Sequence, residues 1–172
     1  MRDGPGPTFE IRPVRPEEFD QAGRVTAEAY EELAPGGESP NPDYLARVAD
    51  VRARAERAVV LGAFEEGRVL GTVTLELEER IPGGHPRPPL EPDQAHVRML
   101  GVDPSAQRRG IARALMEACL DEARRAGKDR LTLETTVTMT AAQRLYETMG
   151  FERGPDQVYD DGFRLRTYEY RL

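Results

Sequence analysis

The chain has 172 residues, of which 32% are charged and 38% are hydrophobic. This balance suits a soluble globular protein better than a disordered or fibrous one, and the length is about that of one domain. No apolar run approaches the about 18 residues that a membrane span needs, and the N-terminus lacks the apolar core of a signal peptide. Because Cys119 is the single cysteine, neither a disulfide nor a cysteine-based metal cluster is expected within the chain. We therefore expect a cytoplasmic protein.

The charge is negative and unevenly distributed. The net charge is −7; residues 1–94 hold 11 Lys and Arg against 19 Asp and Glu, a net of −8, and residues 95–172 hold 13 against 12, a net of +1. A domain that grips a nucleic-acid backbone is usually basic, so the bulk charge argues against nucleic acid as the partner. The acidic half should attract cations, whereas the neutral half can host an anion where arginines cluster.

The N-terminal third predicts a tail, a strand and two helices. Residues 1–7 are rich in glycine and proline and predict a flexible tail before one domain over residues 8–172. Phe9 to Val14 alternates apolar and polar residues, which is typical of a strand. Apolar residues at helical spacing predict one helix from Pro16 to the breaker residues 34–37 and a second from Asp43 to Arg57.

The remainder predicts a hairpin, a long loop and alternating strands and helices. Ala58 to Glu65 and Arg68 to Glu79 form the hairpin, and residues 81–94, with five prolines and two glycines, form the loop. The later elements are a strand over Ala95–Val102, a helix over Gly110–Ala126, a strand over Arg130–Thr135, a helix over Thr140–Met149, and two paired strands over Phe151–Tyr159 and Phe163–Leu172. This order predicts an α/β or α+β domain with a central mixed sheet.

The segment from Leu100 to Ala112 combines a strand end, a tight turn and a helix that starts at Gly110. A helix N-terminus presents unpaired N–H groups and a partial positive charge, and a glycine lets a ligand approach the backbone, so the segment suits a pyrophosphate. Arg108, Arg109 and Arg113 add three guanidinium groups. An ordinary capped helix with solvated arginines explains the spacing equally well.

Two separate motifs are present: Gln107-Arg108-Arg109-Gly110-Ile111-Ala112 and the segment from Ala142 to Phe151. They resemble the motifs of the GNAT family of N-acetyltransferases. The first is similar to the family signature Gln/Arg-x-x-Gly-x-Gly/Ala, and the second to the motif Ala-x-x-Leu-Tyr-x-x-x-Gly-Phe. The resemblance implies a mixed, mostly antiparallel sheet flanked by about four helices and splayed between its fourth and fifth strands. It also implies acetyl-CoA as the co-substrate, bound in the gap between those strands, and no metal.

The resemblance assigns cofactor contacts residue by residue. The pyrophosphate would lie on the N–H groups from Arg108 to Ala112, and the pantetheine arm would pair like an added strand with the backbone of Leu100 and Val102. The implied cofactor-binding residues are Leu100, Gly101, Val102, Gln107, Arg108, Arg109, Gly110, Ile111, Ala112 and Arg113. Many relatives carry an asparagine where this chain has Met139, and a hydroxyl of Thr138 or Thr140 could replace it.

The implied reaction moves the acetyl group directly from sulfur to a primary amine, with no acyl-enzyme. Tyr146 matches the family's general acid, which protonates the leaving thiolate; packing on the sheet is the alternative role. The base is open between Glu134, across the splay, and His96, which shares a strand face with Arg98 and whose ordinary pKa is about 6.5. Weaker candidates are Glu76, Glu78 and His85.

The acceptor is expected between the first two helices and the loop over residues 81–94. The acidic N-terminal half favours a cationic acceptor such as a polyamine, an aminoglycoside-like drug or a lysine-bearing peptide. Glu28, Glu31 and Glu32 are candidate contacts for such an acceptor. The alternative is that they form the solvent-exposed face of a helix. The alternatives are an inactive acyl-CoA-binding regulatory module and an enzyme acting on charged tRNA, which the acidic balance disfavours. No membrane partner is expected, and a homodimer through the last strands is left open.

Overall fold

The computed structural model describes residues 6–32 and 41–172. Its strands are β1 (Glu10–Pro13), β2 (Val59–Glu65), β3 (Arg68–Glu76), β4 (Gln94–Val102), β5 (Arg130–Thr136), β6 (Glu152–Arg153), β7 (Gln157–Val158) and β8 (Arg164–Arg171). Its helices are α1 (Phe19–Glu32), α2 (Pro42–Ala49), α3 (Val51–Ala55), α4 (Ile111–Arg125) and α5 (Thr140–Met149). Most of the predicted tail, and the predicted end of the first helix at 34–37, lie outside the described residues. In the described part, no helix combines the length and apolarity needed to cross a membrane.

Three predicted elements differ from the observed ones. The helix predicted over Asp43–Arg57 is divided into α2 and α3 at Asp50, whose side chain accepts a hydrogen bond from Ala53 N–H. An aspartate that caps a new helix competes with continuation of the old one. The strand predicted to reach Glu79 ends at Glu76. The strand predicted over Phe151–Tyr159 is reduced to β6 and β7, because Pro155 between them has no N–H to give to a ladder.

The strands form one mixed sheet. Their order is β1-β2-β3-β4-β5-β8-β6, and β7 also pairs with β8. Every pair is antiparallel except β4 with β5, which is parallel. This topology confirms the predicted fold class.

The parallel pair is joined over only part of its length. The register runs from Gln94 opposite Arg130 to Val97 opposite Leu133, and no pairing follows beyond it. Just after this point β4 carries a bulge: Arg98 and Gly101 oppose Thr74 and Thr72, so two residues of β4 lie opposite one of β3, and Met99 has a φ of 53°. A bulge bends its strand and increases the twist. The two strands therefore diverge, as the resemblance implied.

The two faces of the sheet differ in chemistry. On the face covered by α4, side chains such as Leu115 and Met116 pack with Val97 and Leu133 in the main apolar cluster. On the face covered by the first three helices, the strands carry buried polar side chains: Thr72, Thr74 and Glu76 from β3 and His96 from β4. The hydroxyl of Thr26 on α1 bonds that of Thr72, and Arg54 of α3 donates to that of Thr74 at 3.1 Å. The sheet thus has an apolar face and a polar but buried one.

Gly23 lets α1 and α2 approach closely. A Cβ atom at this position would lie 2.1 Å from the carbonyl oxygen of Ala49. This contact involves backbone, which cannot move aside as a flexible side chain can. The position of α2 over the polar face therefore depends on the missing side chain.

Gly23→Ala is expected to lower the free energy of unfolding by about 1–3 kcal/mol through overpacking. In an open helix the same substitution would stabilise by about 0.5–1 kcal/mol, so the sign is diagnostic. Urea unfolding measures the change in the free energy of unfolding. The control is Arg24→Ala on the exposed side of α1, whose free energy of unfolding is expected within about 0.5 kcal/mol of the parent value. A stabilised Gly23→Ala variant would contradict the close approach.

Candidate active site

A cavity of about 1040 Å³ lies where β4 and β5 diverge. Its walls come from the segments 96–100 and 133–139 of the sheet, from Tyr30 and Tyr44 on the helices, and from the loops around residues 84–87 and 159–165. Ligand cavities are commonly about 300–1,000 Å³, so this one is large enough for an acyl group and a small acceptor together.

One wall is an unpaired strand edge. Beyond Val97, β4 has no strand partner on its β5 side, while Gly101 and Val102 still pair with β3 on the other side. Leu100 lines the cavity, and a Cβ on Gly101 would lie 3.0 Å from Cβ of Ala29 on α1. An extended ligand with its own amide groups can therefore hydrogen-bond to this edge as a further strand.

The start of α4 forms an exposed backbone surface. Arg108 and Gly110 both have positive φ, 62° and 78°, and the helix begins directly after Gly110. A Cβ at Gly110 would meet no atom within 4 Å, so the space in front of the helix is open. Ile111 anchors the first turn in the core, and Ala112 adds little bulk above it. The first-turn N–H groups are therefore accessible to an anion.

The side chains of the same segment do not form one cluster. The Arg109 guanidinium pairs with Glu65 at 2.6 Å, and together with Thr8 it lowers the pKa of that carboxyl to about 2. Gln107 donates to Glu32 at 3.2 Å, and Arg113 donates to Thr148 at 2.9 Å. Arg108 makes no side-chain hydrogen bond within the described residues. The structure thus gathers the backbone groups that the sequence singled out but directs the three guanidinium groups to different places.

Tyr146 stands in the cavity wall with its ring in the core. The side chain is 5% exposed, and its ring centroid lies 5.9 Å from that of Phe151 and 5.7 Å from that of Tyr168. Its hydroxyl has no hydrogen-bond partner among the described residues. Burial raises the pKa of Tyr146 above its ordinary value, with a further rise from the nearby Cys119. The phenol is therefore protonated at neutral pH and free to donate.

His96 and Glu134 line the same cavity in different environments. His96 is buried, and its Nδ1 lies 2.7 Å from the Thr132 hydroxyl. Burial, and then the neighbouring guanidinium groups of Arg80 and Arg87, hold the pKa of His96 well below its usual range. Glu134 is half-buried on the opposite strand and makes no side-chain hydrogen bond within the described residues. The structure therefore brings together both residues that the sequence left open as the base.

The segment around Met139 forms part of the cavity wall. Met139 and Thr138 line the cavity, and the Thr138 hydroxyl lies 3.2 Å from that of Thr136. Thr140 does not line it. Of the two threonines considered as replacements for the family's asparagine, Thr138 is the one with access. Thr135, which the sequence did not single out, lines the cavity with a buried hydroxyl that has no partner.

A buried ion cluster lies behind the cavity at the end of β3. Glu76 is fully buried and accepts from Ile81 N–H at 2.9 Å, from Arg80 at 3.2 Å and from Arg87 at 3.4 Å. Arg98 lies 3.8 Å from the same carboxylate. Glu76 is therefore the buried counter-ion of these arginines, and both of its carboxylate oxygens already accept hydrogen bonds. Glu78, by contrast, is exposed and lies outside the cavity lining.

The two loops at the cavity edge are joined through His85. Its ring stacks on Phe163 at 4.7 Å and lies 4.2 Å from the Tyr159 ring, while Nε2 lies 3.1 Å from Asp161. The hydrogen bond from His85 lowers the pKa of Asp161. We call the contact of these four residues the aromatic bridge. It links the loop after β3 to the turn before β8 and closes one side of the cavity.

The acidic residues of α1 lie away from this cavity. Glu28, Glu31 and Glu32 are exposed and absent from its lining. The charged lining residues are instead Arg47, Arg87, Arg98, Arg164 and Glu134. The local charge therefore has the opposite sign to the bulk charge that predicted a cationic acceptor. Sequence reasoning missed this because the arginines come from four separate segments.

Comparison with known proteins gives a consistent result. The pattern described as the acetyltransferase (GNAT) family matches residues 25–151. The chain is 42% identical over 59 residues to the ribosomal protein bS18-alanine N-acetyltransferase of Escherichia coli K12, a match covering 34% of this chain and 40% of that protein. It is 32% identical over 153 residues to the mycothiol acetyltransferase of Sanguibacter keddieii, covering 88% of this chain and 46% of that protein. The matches thus span less than half the length of either relative.

A solved structure shares the fold over nearly the whole chain. The yncA protein of Salmonella typhimurium, solved with its cofactor acetyl-CoA, superposes with a TM-score of 0.67 at 20% identity, over 96% of this chain and 94% of that chain. The splayed sheet, the glycine turn before α4 and the family pattern across most of the sequence agree: the chain belongs to the GNAT family of acetyltransferases.

Proposed function

We propose that the chain transfers an acetyl group from acetyl-CoA to the primary amine of a small acceptor bound in the cavity. The observation that carries this proposal is the presence together of three features: the free edge of β4, the open N-terminus of α4 that follows it in the chain, and the Tyr146 hydroxyl in the cavity wall. A module that only bound acyl-CoA would need neither Tyr146 nor an acceptor cavity. Relatives such as the bS18-alanine N-acetyltransferase of Escherichia coli and N-alpha-acetyltransferase 30 of Saccharomyces cerevisiae support the same activity by their names.

The residues present fit acetyl-CoA. The N–H groups from Arg108 to Ala112 would hold the pyrophosphate. The edge of β4 from Leu100 through Gly101 to Val102 would pair with the amides of the pantetheine arm. Arg109, Gln107 and Arg113 would act indirectly, by fixing the turn and the first helical turn to neighbouring elements.

Tyr146 is the proposed general acid. The co-substrate supplies a thioester, and one C–N bond forms while one C–S bond breaks. Tyr146 donates its hydroxyl proton to the departing sulfur, and its packing against Phe151 and Tyr168 fixes the direction of that hydroxyl. A phenol with its ordinary pKa of about 10 is already protonated at neutral pH, and burial raises the pKa of Tyr146 further, so the proton is present throughout the neutral range.

Glu134 is favoured over His96 as the acceptor of the proton that the amine loses. Burial is the main cause of the lowered pKa of His96, and the positive charges of Arg80, Arg87 and Arg98 lower it further, so protonation of this imidazole is unfavourable. Glu134 lines the cavity without an ion-pair partner among the described residues, so it can attract an ammonium group and then take its proton. His96 is assigned a wall position, held through Thr132.

The aromatic bridge favours a small acceptor over a protein chain. His85, Tyr159 and Phe163 join two loops that both line the cavity, so one side is closed to an extended segment. The bS18-alanine acetyltransferase acts, by its name, on a ribosomal protein. A protein N-terminus would reach this cavity only if the bridge opened.

Gly110→Glu is expected to abolish acetyl-CoA binding, because a carboxylate would occupy the phosphate position at the start of α4. Isothermal titration calorimetry measures the loss. Gly110→Ala is the matched control: its Cβ has open space, so binding is retained, although the left-handed conformation costs about 1–2 kcal/mol of stability. Unchanged affinity in Gly110→Glu would reject this phosphate position.

Tyr146→Phe is expected to lower kcat by tenfold or more, towards the range of about 10²–10⁴ typical of general acid–base catalysis. The ring and its packing are retained, so the Kd of acetyl-CoA should stay within about twofold of the parent value. Steady-state thiol release measures kcat, and calorimetry measures the Kd of acetyl-CoA. Tyr170→Phe removes a hydroxyl outside the cavity lining and serves as the control. Equal kcat in both variants would leave Tyr146 with a packing role alone.

A further inference from the structure

Two arginines in the cavity wall have fewer hydrogen-bond partners among the described residues than their buried N–H groups require. The side chains of Arg87 and Arg98 are 8% and 16% exposed, and both residues line the cavity. Each has a buried Nη1 atom with no hydrogen-bond partner. Arg98 makes no hydrogen bond to any described residue; its nearest carboxylate oxygen, on Glu76, is 3.8 Å away. Buried charged groups are normally paired, so these two guanidinium groups call for a further acceptor.

The protein itself does not balance this charge within its described residues. Glu76 carries one negative charge and is already bonded to Ile81 N–H, Arg80 and Arg87 before Arg98 is counted. Arg54, buried on the same face of the sheet, bonds only to neutral oxygens and leaves Nη2 without a partner. Burial and the charge of Arg87 lower the pKa of Arg98, as expected where positive charge exceeds negative charge. The cavity wall at Arg98 therefore has a net positive charge.

The co-substrate does not supply the missing anion. Its phosphates are assigned to the N-terminus of α4, and the pantetheine arm and thioester that would enter the cavity are uncharged. An anionic group at Arg98 must then belong to the acceptor. A carboxylate matches a guanidinium fork because its two oxygens accept two parallel N–H bonds.

A carboxylate lines the same cavity. Glu134 on β5 is the one acidic residue among the described lining residues, and Arg47 is a further cation of the lining. The rings of Tyr30 and Tyr44, which also line the cavity, meet edge to face at 6.0 Å. The lining thus offers guanidinium groups from several elements and one carboxylate to a single ligand.

We propose that the acceptor is a zwitterion, a small amine that carries a carboxylate, with the carboxylate bound by Arg98 and Arg87 and the amine held near Glu134. This proposal rests on the proposed acetyl transfer and specifies its acceptor. It replaces the cationic acceptor that the bulk charge suggested.

The first test compares three forms of each amine. Thiol release from acetyl-CoA is followed with a panel of L-amino acids, their carboxamides and the corresponding decarboxylated amines. Cys119 is fully buried, so the protein's own thiol contributes little background. Turnover confined to the carboxylate form of at least one amine is the expected result. Preferred turnover of carboxamides, decarboxylated amines or polyamines would overturn the zwitterion while leaving acetyl transfer intact.

The second test changes the arginine. Arg98→Gln is expected to raise the KM for the amino acid about tenfold or more, the effect of losing a charge-assisted hydrogen bond. Discrimination between acid and carboxamide should fall by a similar factor, whereas the Kd of acetyl-CoA should not change. The melting temperature should not fall, since the substitution removes a charge without a close partner. Arg125→Gln, an exposed pair with Glu122 on α4, is the control. An unchanged KM in Arg98→Gln would overturn the proposal.

A third measurement does not depend on turnover. The protein loaded with coenzyme A is titrated calorimetrically with the N-acetylated forms of the panel, as acids and as carboxamides. Tighter binding of at least one acid, weakened by Arg98→Gln, supports the proposal. Equal binding of acids and carboxamides, or binding of neither, overturns it. Failure of acetyl-CoA itself to bind would overturn the proposed function instead, so the two failures are distinguishable.

Discussion

The bulge in β4 at Met99 is the constraint on which the rest of the site depends. Up to Val97 the strand is fixed to β5 by parallel pairing, and after the bulge it follows β3 alone. The gap is therefore not a missing piece of sheet but the consequence of one residue with a positive φ. The same distortion frees the edge of Leu100 to Val102 and leaves Arg98 in the cavity wall. The free strand edge and the position of Arg98 in the cavity wall thus follow from one local feature.

The second organising element is the carboxylate of Glu76. It ends β3, accepts a hydrogen bond from the N–H of Ile81 in the following loop, and binds Arg80 and Arg87 from the same loop. That loop in turn presents His85 to the aromatic bridge. A single buried acid therefore fixes a proline-rich segment that has no regular structure of its own. Because more guanidinium groups converge on it than it can neutralise, it also leaves positive charge at the cavity.

The sequence predicts well what is encoded locally. The turn into α4 at Gly110 and the end of α5 at Gly150 follow from glycines whose φ angles are indeed positive, 78° and 97°. The hairpin between β2 and β3 and the buried end of β4 follow from alternation and turn residues. Asp50 was misread because an aspartate inside an apolar pattern can be either a solvated helix residue or a new cap, and only packing decides between them. Pro155 divides a strand that alternation alone would continue.

The charge of the cavity wall cannot be predicted from local patterns, for a different reason. Arg47, Arg87 and Arg98 come from a helix, a loop and a strand, and only the fold brings them to one wall. Net charge over 94 residues could not predict the sign there, because surface carboxylates are screened by solvent whereas the buried guanidinium groups are not. The turn before α4 can be predicted because a helix start is made of consecutive residues. The charged cavity wall is made of side chains distant in sequence, so within this fold its charge can change without altering the turn before α4.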